Sequence, residues 1–410
     1  MQHHRTFFAF AALALAACSA KSAVPFAPSS SAAAADRRPA ASSPLHTLYL
    51  FKGGSDGANP YDSLVKVGSS YYGVTYGDKS GPCAYGSVFS ISAAGKEHTL
   101  YCFGAPPDAE NPVGALIDVG GTLYGTSFNG GKDELGTVFA ITPAGKERVV
   151  YSFQGGTNDG AEPGASLLWY KNELYGTTTS YGGPESGSGM IFALTTGGKE
   201  RIIHVFQGMA GGGDGQGPYS PPVVVNGMLY GTTAQGGANG YGTVYRAGLH
   251  GGEKPIYSFK GAGDGAFPFG SLLLLHGVFY GTAQNGGSGE LENGTVFTCT
   301  LGGSEKPIYS FQGDPSDGSS PRSGLILVNG TLYGDTEKGG SADLGTLFQI
   351  TPSGTEKTLY SFTGSSTDGA DPFGPLIYDG GTLYGTTISG GNHVDSGNWT
   401  GGGTVFRYKI

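Results

Sequence analysis

Short apolar runs, broken by glycine pairs and polar turns, recur from Leu45 to the end of the chain. The stretch 324–362 shows the pattern well. Gly324 to Val328 is apolar throughout and leads into Asn329-Gly330, a strong hairpin-turn dipeptide. Thr331 to Thr336 follows, carrying Leu-Tyr-Gly, and a Gly-rich loop spans Glu337 to Leu344. Gly345 to Thr351 reads as a third strand and Pro352-Ser353-Gly354 as a turn. Glu356 to Phe362 reads as a fourth strand. Alternation puts Lys357, Leu359 and Ser361 on one of its faces and Thr358, Tyr360 and Phe362 on the other.

The same phrases return along the chain. The Tyr-Gly pair falls at Tyr72, Tyr124, Tyr175, Tyr230, Tyr280, Tyr333 and Tyr384, at intervals near 51 residues. Four short strands per unit, repeated seven times, predict an all-β, seven-bladed β-propeller over residues 45–410. The last unit stops after a third strand, Gly403 to Tyr408. Leu45 to Phe51 has the pattern of the missing fourth strand, so the amino-terminal strand is expected to complete the last blade and close the ring. A linear solenoid needs capping units and no such exchange.

Leu-Tyr-Gly-Thr-Thr, Gly-Gly, Gly-Thr-Val-Phe, Tyr-Ser-Phe and Asp-Gly in this order resemble the GloVer tandem repeat of choice-of-anchor proteins. The phrases read clearly at Leu383 to Thr387, Gly136 to Phe139 and Tyr151 to Phe153. Departures are mild: His204-Val205-Phe206 replaces aromatic-Ser-Phe, Tyr245 replaces the Phe, and Ala109 follows Asp108. The resemblance implies a surface or periplasmic location and no established activity.

Residues 1–18 read as a lipoprotein signal peptide. Arg5 precedes a 12-residue apolar stretch, Thr6 to Ala17, too short to span a bilayer of ~30 Å, and Leu15-Ala16-Ala17-Cys18 resembles a lipobox. Cys18 is thus the expected lipidation site and the membrane its expected partner. Ser19 after the Cys favours the outer membrane or cell surface over the inner membrane in enteric-type sorting. Residues 19–44, rich in Ala, Ser and Pro, read as a disordered tether spanning about 25–30 Å.

Composition narrows the partners. The chain has 77 Gly, 13% charged residues and a formal net charge of −9, with no basic stripe, which excludes a nucleic-acid partner. No phosphate loop, zinc-protease helix or dinucleotide fingerprint is present in the sequence, and no catalytic residue is assigned. Antiparallel register about the turn near Gly95 places Cys102 opposite Ser87, four residues from Cys83. A Cys83–Cys102 bridge therefore requires the loop to fold back.

Propeller geometry puts the loops from second to third strand, and from fourth strand to the next unit, on one face. These are the longer, more variable loops, where binding concentrates. Asp56, Asp108, Asp159, Asp214, Asp264, Asp317 and Asp368 all fall there. They read either as a calcium-binding ring of carboxylates or as turn caps, one per blade; recurrence in every unit favours the caps. No other cofactor is expected. Residues that break the symmetry are better ligand-binding candidates: Trp399, His393, Asp395 and Asn392 in the longest loop, with Asp133, Glu134, Glu185, Glu290, Glu292, Glu337 and Asp343 in others. The repeated Tyr, and Trp169, read as core. The functional expectation is an anchored binding or scaffold module with a glycan or protein ligand. The alternatives are a carbohydrate-active enzyme using loop carboxylates and a structural envelope protein.

Overall fold

Each Tyr-Gly phrase lies in the second strand of an antiparallel sheet, and seven such sheets form a seven-bladed β-propeller. The computed structural model describes residues 43–410 except 80, 157, 181–187, 212, 288–292, 366–367 and 392–401. In the sixth blade the strands are Ile326–Val328, Thr331–Thr336, Thr346–Ile350 and Glu356–Ser361, each within two residues of its expected ends. Leu45–Leu50 pairs antiparallel with Thr404–Lys409, from Leu45 opposite Tyr408 to Leu50 opposite Thr404. The first strand of the propeller thus completes its last blade, as the sequence predicts. Lys66 ion-pairs with Asp379 at 2.7 Å and Tyr71 stacks on Tyr384 at 4.5 Å, joining the seventh blade to the first.

The core lies between blades. Tyr333, Leu347 and Phe362 of the sixth blade cluster with Leu376, Leu383 and Phe406 of the seventh, and comparable clusters fill the other interfaces. All seven repeated Tyr are at most 9% exposed and sit in these clusters. The Gly beside each Tyr has a steric cause. Gly334 lies opposite Phe348 in the sheet, and the Phe ring folds over it. A Cβ at Gly334 would meet Phe348 Cζ at 2.7 Å and Leu325 Cδ2 at 2.9 Å, closer than packed carbons approach. The same contact recurs from Gly73 on Phe89 to Gly385 on Phe406, so Tyr-Gly and Gly-Thr-Val-Phe are two halves of one packing unit.

The outer strands differ from the simple alternation read from sequence. In the sixth blade Phe348 pairs with Thr358 while Leu347 pairs with Tyr360, so Leu359 is an extra, bulged residue. All seven outer strands carry this bulge at the same place. A bulge bends a strand and increases its twist. Here it lets Leu359 pack into the cluster shared with the seventh blade while Phe362 still faces the core.

Cys83 and Cys102 form a disulfide, with Cα atoms 4.7 Å apart. The loop folds back as the bridge requires: Gly86 N–H donates to Cys83 C=O at 2.9 Å and Cys83 N–H to Gly54 C=O at 3.0 Å. Cys102 lies opposite Ser87, the register expected from the turn. No helix among the described residues is long and apolar enough to cross a membrane.

Candidate functional site

The variable loops do emerge together. The segment entering each blade pairs with the loop after its second strand, as where Gly318 meets Gly339, Gly215 meets Gly236 and Gly369 meets Gly390. In this segment every blade carries a proline: Pro60, Pro112, Pro163, Pro218, Pro268, Pro321 and Pro372. The residue before each proline is left-handed. Asn59, Asn111, Glu162, Phe267, Ser320 and Asp371 have φ between 55° and 59°, and the fourth blade uses Gly217 at 64°. Six non-glycine residues in that region are costly, on the order of 1–3 kcal/mol each, and persist only where the surroundings enforce them. Hydrogen bonds on both sides do so. Ser320 N–H donates to Asn293 C=O of the fifth blade at 2.8 Å, and Glu337 N–H donates to Ser320 C=O at 3.2 Å.

This backbone aims the residue after each proline toward its counterparts in other blades. Those residues are Tyr61, Val113, Gly164, Tyr219, Phe269, Arg322 and Phe373. Five of these side chains, with Tyr76, form a collar that is open at the second and third blades. Tyr76 meets Tyr61 at 5.5 Å and Tyr61 meets Phe373 at 4.7 Å between ring centroids. The Arg322 guanidinium lies 4.9 Å from the Phe373 ring and 4.7 Å from the Phe269 ring, and Phe269 meets Tyr219 at 5.1 Å. Gly164, lacking a side chain, leaves a gap at the third blade, where Tyr219 is 42% exposed.

Charge on the collar is uneven. Arg322 Nη1 donates to Glu337 Oε2 at 3.1 Å, while its Nε has no hydrogen-bond partner among the described residues. Glu110 and Glu162 lie close enough to Tyr76 to raise its phenol pKa, although burial is the larger cause. Burial likewise pushes Tyr61 up to about 12. All the collar phenols therefore stay neutral donors and acceptors at ordinary pH.

Two buried carboxylates adjoin the collar segments: Asp62 follows Tyr61, and Asp335 is bonded by Ser323, which follows Arg322. Asp62 is bonded by Ser63 N–H at 2.7 Å and Ala115 N–H at 2.8 Å, and Ser166 Oγ donates to it at 3.2 Å. It thus ties the first blade to the second and third. Asp335 occupies a place held by Thr126, Thr177, Thr232, Thr282 and Thr386 in other blades. It is 1% exposed and accepts from Ser323 Oγ at 2.6 Å, and its Oδ2 has no partner. Desolvation, with a smaller push from Asp62, lifts Asp335 to about 7.

The seven candidate aspartates sit elsewhere, each engaged in the turn that leads from one blade to the next. Tyr309 OH donates to Asp317 Oδ2 at 2.8 Å, and Gln312 N–H and Gly318 N–H donate to its two oxygens at 2.7 Å each. Asp108, Asp159 and Asp368 accept equivalent bonds from Tyr101, Tyr151 and Tyr360. Asp56 and Asp264 accept from Tyr49 and Tyr257, and Asp214 faces His204. This is turn-capping geometry, and it links Tyr-Ser-Phe to Asp-Gly as partners. Of the other candidates, Glu337 is on the collar and Asp343 caps Gly339 N–H at 2.8 Å. Asn392, His393, Asp395 and Trp399, with Glu185, Glu290, Glu292 and Cys18, lie outside the described residues. Trp169 is half-buried in an inner strand, packed on the interface of the second and third blades. The collar itself escaped the sequence reading, although seven prolines in one phase, followed by five different residue types, marked it.

Seven repeat-built blades around an axis, with the symmetry broken where the loops converge, define a repeat β-propeller with one variable face. The chain belongs to the Gloeobacter/Verrucomicrobia repeat family, whose model matches residues 37–188 and 178–406. Among solved structures, a puromycin hydrolase mutant complexed with PGG is similar at a TM-score of 0.54 and 12% identity, covering 84% of this chain and 55% of that one. Puromycin hydrolase itself matches at 0.51 and 11%, with the same coverage, so this chain spans about half the length of those proteins. The computationally designed Ika8 protein matches at 0.50 and 13%, covering 89% of this chain and 100% of that one. At these identities the likeness is one of fold. A search of the curated proteins finds no match.

Proposed function

We propose that this protein is an envelope-anchored binding module that takes a glycan at the collar. The observation that carries the reading is the run Tyr76, Tyr61, Phe373, Arg322, Phe269 and Tyr219, in which each group meets the next. Aromatic faces stack on the apolar faces of sugar rings, and phenols, a guanidinium and carboxylates exchange hydrogen bonds with hydroxyls. Holding these groups on strained, doubly bonded backbone keeps the surface pre-organised, which lowers the entropy lost on binding. The gap at Gly164 admits a chain from the side, past Glu110 and Glu162. Lipidation at Cys18 and the 19–44 tether would hold the propeller just off an outer-membrane or cell surface. Metabolic labelling with a fatty acid, lost in Cys18→Ser, tests the anchor.

A second reading has one observation in its favour. Glu110 and Glu162 border the collar as carboxylates, and burial raises Glu110 above the usual carboxylate range. That is the placement a glycoside-cleaving acid would need. Incubation with a panel of soluble and insoluble polysaccharides, with calcium and with chelator, separates the two. Retention without new reducing ends supports the binding module, and new reducing ends support the enzyme.

A further inference from the structure

We infer that His204, Asp214 and Glu253 form a site for one divalent transition-metal ion of the zinc class, on the rim between the third and fourth blades. The third blade breaks the repeat here. Six blades place Tyr at this position of the outer strand, and its hydroxyl donates to the Asp of the following turn. The third blade places His204 there instead. A phenol in these pairs is a proton donor, whereas an imidazole nitrogen offers a lone pair to a metal.

The imidazole stands between two carboxylates. His204 Nε2 is 3.1 Å from Asp214 Oδ2 and 3.5 Å from Glu253 Oε2. The three donor atoms all lie within 4.8 Å of one another, and no other group of this kind occurs among the described residues. A tetrahedral zinc ion with bonds of about 2.0–2.2 Å separates its ligand atoms by about 3.3–3.6 Å, so little movement is needed. Glu253 supplies the third donor, at a position where Glu147, Glu200 and Glu305 of other blades also leave Oε1 unpartnered but face no imidazole. Its side chain is only 3% exposed, and its Oε1 has no hydrogen-bond partner among the described residues. A carboxylate buried beside another carboxylate keeps a proton or takes a compensating charge, and beside His204 a metal ion can supply that charge. One imidazole and two carboxylates suit zinc and its neighbours.

The surroundings fit as well. Gln207 N–H and Gly215 N–H donate to Asp214 at 2.9 and 2.7 Å, and the Phe206 ring packs edge-on against His204 at 4.9 Å. These contacts fix the ligands as outer-shell partners do. The His204 side chain is 23% exposed, which leaves room for a water at the fourth position.

The test is zinc titration of the metal-stripped full chain by calorimetry, with cobalt(II) as a spectroscopic reporter. His204→Tyr restores the residue of six other blades and should fold like wild type. Wild type is expected to bind one zinc per chain, to show the visible absorption of four-coordinate cobalt, and to melt at higher temperature with zinc. His204→Tyr should bind zinc at least about 100-fold more weakly and lose the cobalt signature, since loss of an outer-shell partner alone costs about 10–100-fold. Glu253→Gln should do the same, which keeps the test open if the first variant misfolds. No zinc binding by wild type, or equal binding by both variants, overturns the site.

Discussion

Asp335→Thr should stabilise this protein, and by an amount that depends on pH. In other blades a Thr at this position donates to the backbone of the next blade, as Thr282 Oγ1 does to Ser323 C=O at 2.7 Å. In the fourth blade Thr232 also pairs with Ser220 at 2.9 Å, an arrangement that Ser323 can reproduce. Asp335 instead buries a carboxyl with one unpartnered oxygen. Its ordinary value of 3.8 is raised to about 7 by burial and by Asp62. Between these two values the unfolded chain has lost the proton and the folded chain retains it. Wild-type stability therefore falls as pH rises from about 4 to about 7 and levels off above. The displacement corresponds to about 4 kcal/mol at the plateau. A new hydroxyl-to-carbonyl bond contributes about 1 kcal/mol more. Denaturant melts of wild type and variant at pH 5 and pH 8 measure the difference. The variant should be about 5 kcal/mol more stable at pH 8, and the gap should narrow by about 3 kcal/mol at pH 5. A variant less stable than wild type at pH 8, or a gap unchanged by pH, would refute this reading of the axial carboxylates.

Other outcomes follow from the same geometry. Gly334→Ala drives a methyl against Phe348 and should cost about 1–3 kcal/mol in chemical denaturation. Cys102→Ser opens a bridge spanning 19 residues and should lower stability by about 3 kcal/mol under oxidising conditions, with no further loss when reductant is added. Burial and a facing Asp push Glu147, Glu200, Glu305 and Glu356 up to about 7. Each thus holds a proton in the folded state that it loses on unfolding, so melting temperature should fall as pH rises from about 5 to about 7. Glu305→Gln should flatten that fall.

How much of this was legible in the sequence depends on what repeats. Tyr333, Asn329-Gly330 and the displaced strand at Leu45 recur in phase, and phase is visible in one dimension. Blade count, ring closure and the buried Tyr could therefore be read directly. The bulge at Leu359 could not, because an extra residue common to every unit leaves the period unchanged. The pairing of Gly334 with Phe348 shows in sequence only as two motifs that travel together. The collar was harder still. Tyr61, Tyr219, Phe269, Arg322 and Phe373 are far apart in sequence and share only a preceding proline. Their meeting depends on left-handed residues such as Phe267 and Ser320, a conformation that neither residue type announces. Asp335 differs from its counterparts by one letter, and the cost of that letter appears only once its burial is known. Attention to exposed loop charges favoured Asn392 to Trp399 over this inner ring.

Glycan binding at the collar is tested most directly by comparing wild type with Tyr219→Ala and Phe373→Ala on whichever polysaccharide of the panel is retained. Circular dichroism confirms folding, and new reducing ends are followed in the same samples. The account predicts retention by wild type, at least a tenfold loss in each variant, as expected when a stacking aromatic worth about 1.5 kcal/mol is removed, and no product. Retention that survives both substitutions, or release of reducing ends, would contradict it.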